Sequence, residues 1–521
     1  MKRSGDEHAT QSSQPCRKGS IRGTVSALEA AYVEYRDRMT KTPEKGVLMK
    51  RSIAVMLAVV FLAGIVAVTG CGCTTQNKKS ADYNKGYNLG LEAYTYGLPL
   101  LVTNTTFQTM TSVNVSEGAF GPVNQFNNVR TLNNPGSTAV VASSATSLSS
   151  IAWLDLQNEP QVLHVPQVTD HYFILAVIDP YTENLINLGT ASNTKPGDYV
   201  IADPSQRNVS IPEGTQRIDV DYSRIWIIGS TQLKGPDDLA NVNNIQDGYT
   251  LTPLSKFGTS YQPPVPSNPV TKVTNYSLPT GVQFFGVLGQ QLALFPPPER
   301  DQEELRKFAE VGIGPGMKPS QNSQLNSDTL RGLNDAVAAG PDQVKKYTDE
   351  LSLADFNKHN GYLLGGFGQY GTNYRLRAVI SQIGLGALTP HQAIYAISWT
   401  DHDKKPLNGS THYVLHMQSA PPTNEGWSLT LYNLKGAMIP NSINRYAFTN
   451  SSSLTTNSDG SVDFYLQADQ PSNPAQENNW LPTASEQGFE VTWRLDAPQP
   501  DKIESVLNGS GWQPPAIQPA Q

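Results

Sequence analysis

Beyond residue 73 the sequence has no cysteine; its three are Cys16, Cys71 and Cys73. The body of the chain therefore has no disulfide framework and must stand on a hydrophobic core. Roughly 440 residues are enough for that, and for two or three domains. Positive charge is also scarce. Residues 1–70 carry eleven Lys and Arg against six Asp and Glu, so removing them takes the formal charge from −7 to −12. Such a surface repels phosphate backbones, and no basic stripe with interleaved aromatics offsets it, which excludes nucleic acid as a partner. The only long apolar run, Ile53 to Val68, is sixteen residues. A membrane-spanning helix needs about 20. His-Glu-x-x-His, the phosphate-binding loop and the Gly-x-Ser-x-Gly elbow are all missing. No metal site or cofactor is expected.

The apolar run belongs to a different pattern. Lys50 and Arg51 precede it, and Val68-Thr69-Gly70-Cys71 follows, small residues leading to a cysteine. Positive region, apolar region and small-residue site in that order make 49–70 a bacterial lipoprotein signal peptide. Cleavage would leave Cys71 as the lipidated first residue, anchored to the outer face of a membrane of the cell envelope. Lipidation would consume Cys71, which argues against a Cys71–Cys73 metal or redox pair. Residues 1–48 are polar and charge-mixed and do not suit a signal start. Met49 reads as the true start and 1–48 as a gene-model extension, with a cytoplasmic tail before an uncleaved anchor as the alternative.

Residues 71–80 read as a tether. Asp82 to Val102 has helical spacing, with Tyr83, Tyr87, Tyr94 and Leu98 three and four apart. Short strands follow: Val162 to Val165, Tyr172 to Ile178 and Arg224 to Ile228, punctuated by Pro180, Pro196-Gly197 and Pro204. From Arg300 to about Leu353 the spacing is helical, broken at Gly312-Ile313-Gly314-Pro315-Gly316, and Tyr374 to Ile383 is a further helix. Strands return at Tyr413 to Met417, Ser428 to Tyr432, Val462 to Leu466 and Glu490 to Leu495, with Asp459-Gly460 as a hairpin turn. The plan is a β domain over 81–295, a helical connector over 296–390 and a β domain over 391–521. Sandwich or jelly-roll packing fits strands at this spacing.

Several motifs occur in a specific order. The first part holds Trp153-Leu154-Asp155-Leu156, Glu159-Pro160-Gln161-Val162-Leu163-His164-Val165-Pro166 and Asp179-Pro180-Tyr181-Thr182. Pro296-Pro297-Pro298 and the 312–316 glycines follow. The second part holds Trp427-Ser428-Leu429-Thr430-Leu431-Tyr432, Asn441-Ser442-Ile443-Asn444-Arg445-Tyr446, Asn479-Trp480-Leu481-Pro482 and Gly511-Trp512-Gln513-Pro514-Pro515. From about Tyr83 to Pro515 the chain resembles a bacterial two-part family, DUF1254 followed by DUF1214. That resemblance implies a mainly β fold of two jelly-roll-like β-barrels. It implies no reaction, because the family's activity is not established. One departure stands out. Where the family carries Asn-Asp-Thr-x-Tyr, this chain has Ala145-Thr146-Ser147-Leu148-Ser149, which counts against an active centre there.

The remaining candidates are weaker. Gly366-Phe367-Gly368-Gln369-Tyr370-Gly371 has the form of a dinucleotide fingerprint, but no Asp or Glu lies between Phe356 and Thr400 to hold a ribose. It reads as a close-packed turn. His412 and His416 sit in a strand, where four residues span roughly 13 Å, too far to share one zinc. Asp401-His402-Asp403 reads as a solvated loop. Arg445 is either an internal clamp on loop carbonyls or carboxylates, or a bidentate anion holder. Trp427, Tyr432 and Trp480 either line a ligand cleft or pack a core, and Asp155 and Asp179 complete the candidate ligand-binding residues. Two functions stay open. One is a lipid-anchored β-barrel protein of the envelope that binds a small molecule, glycan or partner, or assembles with itself. The other is an extracytoplasmic hydrolase of an ester, amide or glycan, its triad assembled from distant residues.

Overall fold

The computed structural model describes residues 79–520, apart from 138–141, 266–267, 269, 271 and 274–276. The expectations on the signal peptide, on Cys71 and on residues 1–48 lie outside the described residues.

The first β domain contains β1 (Asn127–Asn128), β2 (Ser147–Asp155), β3 (Gln161–Val165), β4 (Phe173–Ile178), β5 (Asn184–Gly189), β6 (Gly197–Ala202), β7 (Gln216–Asp219), β8 (Arg224–Gln232) and β9 (Thr250–Pro253). They form a five-stranded sheet, β1-β2-β8-β4-β5, and a four-stranded sheet, β7-β6-β3-β9. Every pairing is antiparallel except β6 with β7. Leu154, Leu175 and Ile227 from one sheet meet Leu163, Ile201 and Leu251 from the other in a shared core. This is a β-sandwich.

The second domain contains β10 (Leu363–Leu364), β11 (Ala393–Ser398), β12 (Tyr413–Met417), β13 (Thr423–Asn433), β14 (Ala447–Thr449), β15 (Val462–Gln467), β16 (Trp480–Pro482), β17 (Phe489–Pro498) and β18 (Ile517–Pro519). Its sheets run β10-β11-β17-β13-β14 and β16-β15-β12-β18. These are the first domain's orders with nine added to each number, and the parallel pair, β15 with β16, falls in the same place. The two sandwiches repeat one topology. Sequence traces of the repeat survive. Val162-Leu163-His164 in β3 matches Val414-Leu415-His416 in β12, and each histidine Nδ1 lies 2.7 Å from a carboxylate on the next strand, Asp198 or Asp463. After the central strand, Pro236-Asp237-Asp238-Leu239-x-x-Val242 matches Pro500-Asp501-Lys502-Ile503-x-x-Val506. Each leads into a helix and buries its valine.

Neither sandwich closes into a barrel, which corrects that part of the expectation. The edge strands β1 and β10 are two residues long, too short to ladder around to the opposite edge. Asp459-Gly460 is also not a hairpin. Gly460 turns with φ +87° and Asp459 accepts from the backbone N–H of Ser461, but the flanking strands β14 and β15 belong to different sheets.

Eight α-helices occur among the described residues: α1 (Ala81–Met110), α2 (Leu239–Gly248), α3 (Gln283–Leu294), α4 (Gln302–Ala309), α5 (Ser327–Phe356), α6 (Tyr374–Ile383) and two short ones, Pro474–Glu477 and Ile503–Asn508. None is long and apolar enough to cross a membrane. The helical core joins α1, α3, α4, α5 and α6. The helical layer therefore begins well before 296 and recruits α1, the first helix among the described residues. Ser80 caps α1 by accepting from the N–H of Tyr83, and Asn326 caps α5 by accepting from that of Thr329. Where α1 crosses α5, Gly86 meets the backbone at Thr329 and Gly332, Gly90 meets Ala336, and Gly340 makes room for the Tyr94 ring. A Cβ on Gly332 would stand 2.3 Å from the Tyr83 carbonyl oxygen. Gly332→Ala should therefore cost about 1–3 kcal/mol from overpacking in a denaturant titration. Gly286→Ala in α3, whose Cβ would meet nothing closer than 3.9 Å, should stabilise by about 0.5–1 kcal/mol through helix propensity. Equal effects at the two sites would refute the close-approach account.

Candidate functional site

Both faces of each five-stranded sheet are used. The inner faces form the sandwich cores, and the outer faces of the two sheets wall a single cavity of about 510 Å³. That volume is in the range of small-molecule sites. The first sandwich contributes Ser147, Ser149 and Ile151 from β2, Ile174 from β4, and Trp226, Ile228 and Ser230 from β8. The second contributes Tyr395 and Ile397 from β11, Ser428, Thr430 and Tyr432 from β13, and Thr492 and Arg494 from β17. The segment after α6, with Leu385 and Leu388, forms part of the wall. A strap from the first sandwich reaches across: the Tyr432 hydroxyl donates to the Ser143 carbonyl at 3.0 Å, and the Ala142 N–H donates to the Gly436 carbonyl.

The strand registers make the two walls comparable. Ser230 and Arg494 each lie six residues before the proline that opens the following helix. Ser149 and Ile174 flank Ser230, while Tyr395 and Ser428 flank Arg494. By the same count Trp226 corresponds to Glu490. Across this repeat the first wall is apolar and hydroxylic, with Trp226 stacked on Trp153 at 4.7 Å between centroids. The second wall carries charge. The cavity is amphipathic.

Arg494 is the charged group of that second wall. Its Nε–H donates to Asp496 Oδ1 at 2.7 Å, and among the described residues no acceptor meets Nη1 or Nη2. Burial opposes its charge, but the Asp496 carboxylate and the Tyr395 and Tyr172 hydroxyls hold its pKa above the usual arginine range. Four residues back along β17, on the same face, Glu490 accepts from Trp399 Nε1 at 2.8 Å. Burial pushes its carboxyl up to about 7, against the pull of that hydrogen bond.

Residues 123–253 match the family described as "Protein of unknown function (DUF1254)", and residues 392–500 match "Protein of unknown function (DUF1214)". The chain is a tandem DUF1254–DUF1214 protein. The DUF1254 match spans the first sandwich and the DUF1214 match most of the second, so the cavity lies between the two family domains. No curated protein matches the chain. Among solved structures it is similar to the VPA0106 protein from Vibrio parahaemolyticus, at 20% identity and TM-score 0.57, over 84% of this chain and all of that one. A putative uncharacterized protein from Burkholderia cenocepacia aligns at 12% identity and TM-score 0.38, over 84% of this chain and 94% of that one. The first likeness shows the fold.

The tandem protein places the sequence-derived candidates in five different settings. Tyr432 lines the cavity. Trp427 is buried in the second core against Trp493 and Phe464, at 5.3 and 6.1 Å between centroids. Arg445 Nη1 donates to the carbonyls of Glu477 and Trp480, each at 2.8 Å, and Trp480 Nε1 donates to Gln467. Asp155 ends β2 and accepts from the N–H of Gln157. Asp179 lies at the junction with the helical layer, accepting from the N–H groups of Tyr181 and Glu183, and burial raises its carboxyl to about 7. Beside it Glu183 accepts from the N–H groups of Tyr370 and Gly371, so the glycine-rich 366–371 segment is a packed turn against the Asp179 loop. The buried Arg377 sits there too, its Cζ 5.1–5.6 Å from the rings of Tyr374, Tyr96 and Tyr181. Of this second cluster Phe367 reaches the cavity, while Asp179, Glu183 and Arg377 do not line it. Among the described residues no group of three His, Cys, Asp or Glu could hold a metal ion, and the Asp401 carboxylate is engaged by the N–H groups of Asp403 and Lys405.

Sequence reasoning missed Arg494, Thr492, Ser149 and Ser230. A signal was present. Glu490-Val491-Thr492-Trp493-Arg494-Leu495-Asp496 alternates apolar residues with polar or charged ones, and its polar face is nonetheless covered. Charge on a covered strand face marks a site.

Proposed function

We propose that this protein is a lipid-anchored binding protein of the bacterial cell envelope, holding a small molecule between its two sandwiches. The observation that carries the reading is the amphipathic cavity, to which both family domains contribute hydroxyls and apolar side chains. Ser147 and Ser149, which line it, occupy the stretch where the family resemblance leads one to expect Asn-Asp-Thr-x-Tyr. A serine in place of a tyrosine leaves space in the wall. The hydrolase reading has less support, because among the described residues no histidine lines the cavity and the one lining carboxylate, Glu117, lies 3.9 Å from the Lys272 ammonium.

The test uses 8-anilinonaphthalene-1-sulfonate, an amphipathic fluorescent probe. The wild-type chain should bind it at a single saturable site, and Ser149→Tyr should bind at least tenfold more weakly at an unchanged melting temperature. Undiminished binding in Ser149→Tyr would place the probe elsewhere and reject the cavity as the site. The anchor is tested separately. Fatty-acid labelling should mark the wild type and fail on Cys71→Ser, and persistent label would reject Cys71 as the acylated residue.

A further inference from the structure

We infer that the cavity is built for an amphipathic monocarboxylate, an acyl or aryl acid whose carboxylate meets the Arg494 guanidinium and whose body lies on the apolar wall of the first sandwich. This rests on the cavity being the binding site.

The guanidinium is already oriented. Asp496 takes its Nε–H at 2.7 Å, fixing one edge of the planar fork, and Tyr395 lies 5.6 Å from its Cζ. Of the side chain, 19% remains accessible, and Arg494 lines the cavity. The Nη1 and Nη2 donors are thus unused by protein and in reach of a ligand. Two parallel N–H donors on a planar group match the two oxygens of a carboxylate, and a bidentate contact of this kind is strong where water is excluded. A neutral hydroxyl would accept from only one of them.

The charge balance sets the size of the anion. Arg494 and Asp496 together are neutral, so a bound monoanion leaves the three groups at −1 and a phosphate dianion would leave them at −2. The monoanion is the less costly of the two to hold where water is excluded. The other lining cation, Lys272, lies 3.5 Å over the Phe120 ring and is paired with Glu117. Around the fork, Ser428 sits directly across the ladder from Arg494, and Thr430 and Thr492 face each other one row along. These hydroxyls suit the outer lone pairs of a carboxylate. On the first wall Ile151, Ile174, Trp226 and Ile228 form an apolar patch beside the hydroxyls of Ser147, Ser149 and Ser230, and the Trp226 indole N–H lacks an acceptor among the described residues. An apolar body belongs on that wall.

The experiment compares three ligands with the same tail, octanoate, octan-1-ol and octylammonium, by calorimetry on the full chain. Octanoate should bind at least tenfold more tightly than octan-1-ol, and octylammonium more weakly than either. Arg494→Gln combined with Asp496→Asn removes both charges and should bring octanoate to the level of the alcohol, with near-ultraviolet circular dichroism confirming a native fold. Arg494→Lys, which keeps the charge and loses the fork, should forfeit most of the preference for the acid. Equal binding of acid and alcohol by the wild type, both weakened by Ser149→Tyr, would overturn the carboxylate assignment and leave the cavity reading standing. Binding of both ligands that ignores Ser149→Tyr would overturn the cavity reading itself.

Discussion

Asp496→Ala should destabilise the protein by about 3–5 kcal/mol, the cost of leaving a buried charge without its partner. Arg494 and Asp496 lie on the same face of β17 and are joined at 2.7 Å, with side chains 19% and 7% exposed. Pairing two desolvated charges adds little net stability, because taking both from water costs about as much as their attraction returns. Removing one partner is different: the guanidinium stays in a wall of low polarity with no carboxylate. Arg494→Met combined with Asp496→Leu should therefore recover most of the loss, since a packed apolar pair of similar bulk often equals or exceeds a buried ion pair in stability. Urea titrations of the two variants decide the matter. A loss below about 1 kcal/mol for Asp496→Ala would mean that solvent in the cavity, rather than Asp496, stabilises the guanidinium.

Stability should fall as pH rises from about 4.5 to above 7, and Glu490→Gln should remove part of that fall. Burial raises the carboxyls of Glu490 and Asp179 to about 7 in the folded protein, whereas in the unfolded chain they titrate near 4. Across that interval the folded state binds more protons than the unfolded state, so unfolding is favoured as pH increases. The stability these two groups contribute is complete below their unfolded pKa values and is lost once pH passes the folded ones. Each contributes up to about 4 kcal/mol by the conversion of pKa shift to free energy. Glutamine at 490 keeps an acceptor for Trp399 Nε1 and carries no charge at any pH. Glu490→Gln should gain about 1–3 kcal/mol at pH 8 and almost nothing at pH 5. A gain of the same size at both pH values would show that packing, not ionisation, is responsible.

Local order was legible from the residues because it depends on local chemistry. The strand Tyr413–Met417 and helix Tyr374–Ile383 fall where apolar spacing placed them, since the residues that must face a core repeat with the period of the element. Of the motifs, Trp153 and Leu154 in β2 and Trp427 to Tyr432 in β13 are buried, which restricts their side chains. Strands at the right intervals do not say how sheets close, and β1 and β10, each two residues long, decided that both sandwiches stay open.

The site was less legible. Tyr432 is conspicuous in sequence because it ends an aromatic motif, whereas Arg494 stands alone between apolar neighbours. Trp427 and Tyr432 are on one strand, yet one packs a core and the other a cavity, because alternate residues of a strand point to opposite faces and both faces of this sheet are covered. Arg445 and Arg494 were equally good anion holders as sequence. The difference arose when the chain brought the Glu477 and Trp480 carbonyls to the first and an open wall to the second. Secondary structure, family domains and the scarcity of positive charge are properties of neighbouring residues or of composition, and the sequence alone determined them. Which strand faces meet, and so which buried polar groups keep unused hydrogen-bond donors, depends on segments hundreds of residues apart. Only the tertiary structure decided that.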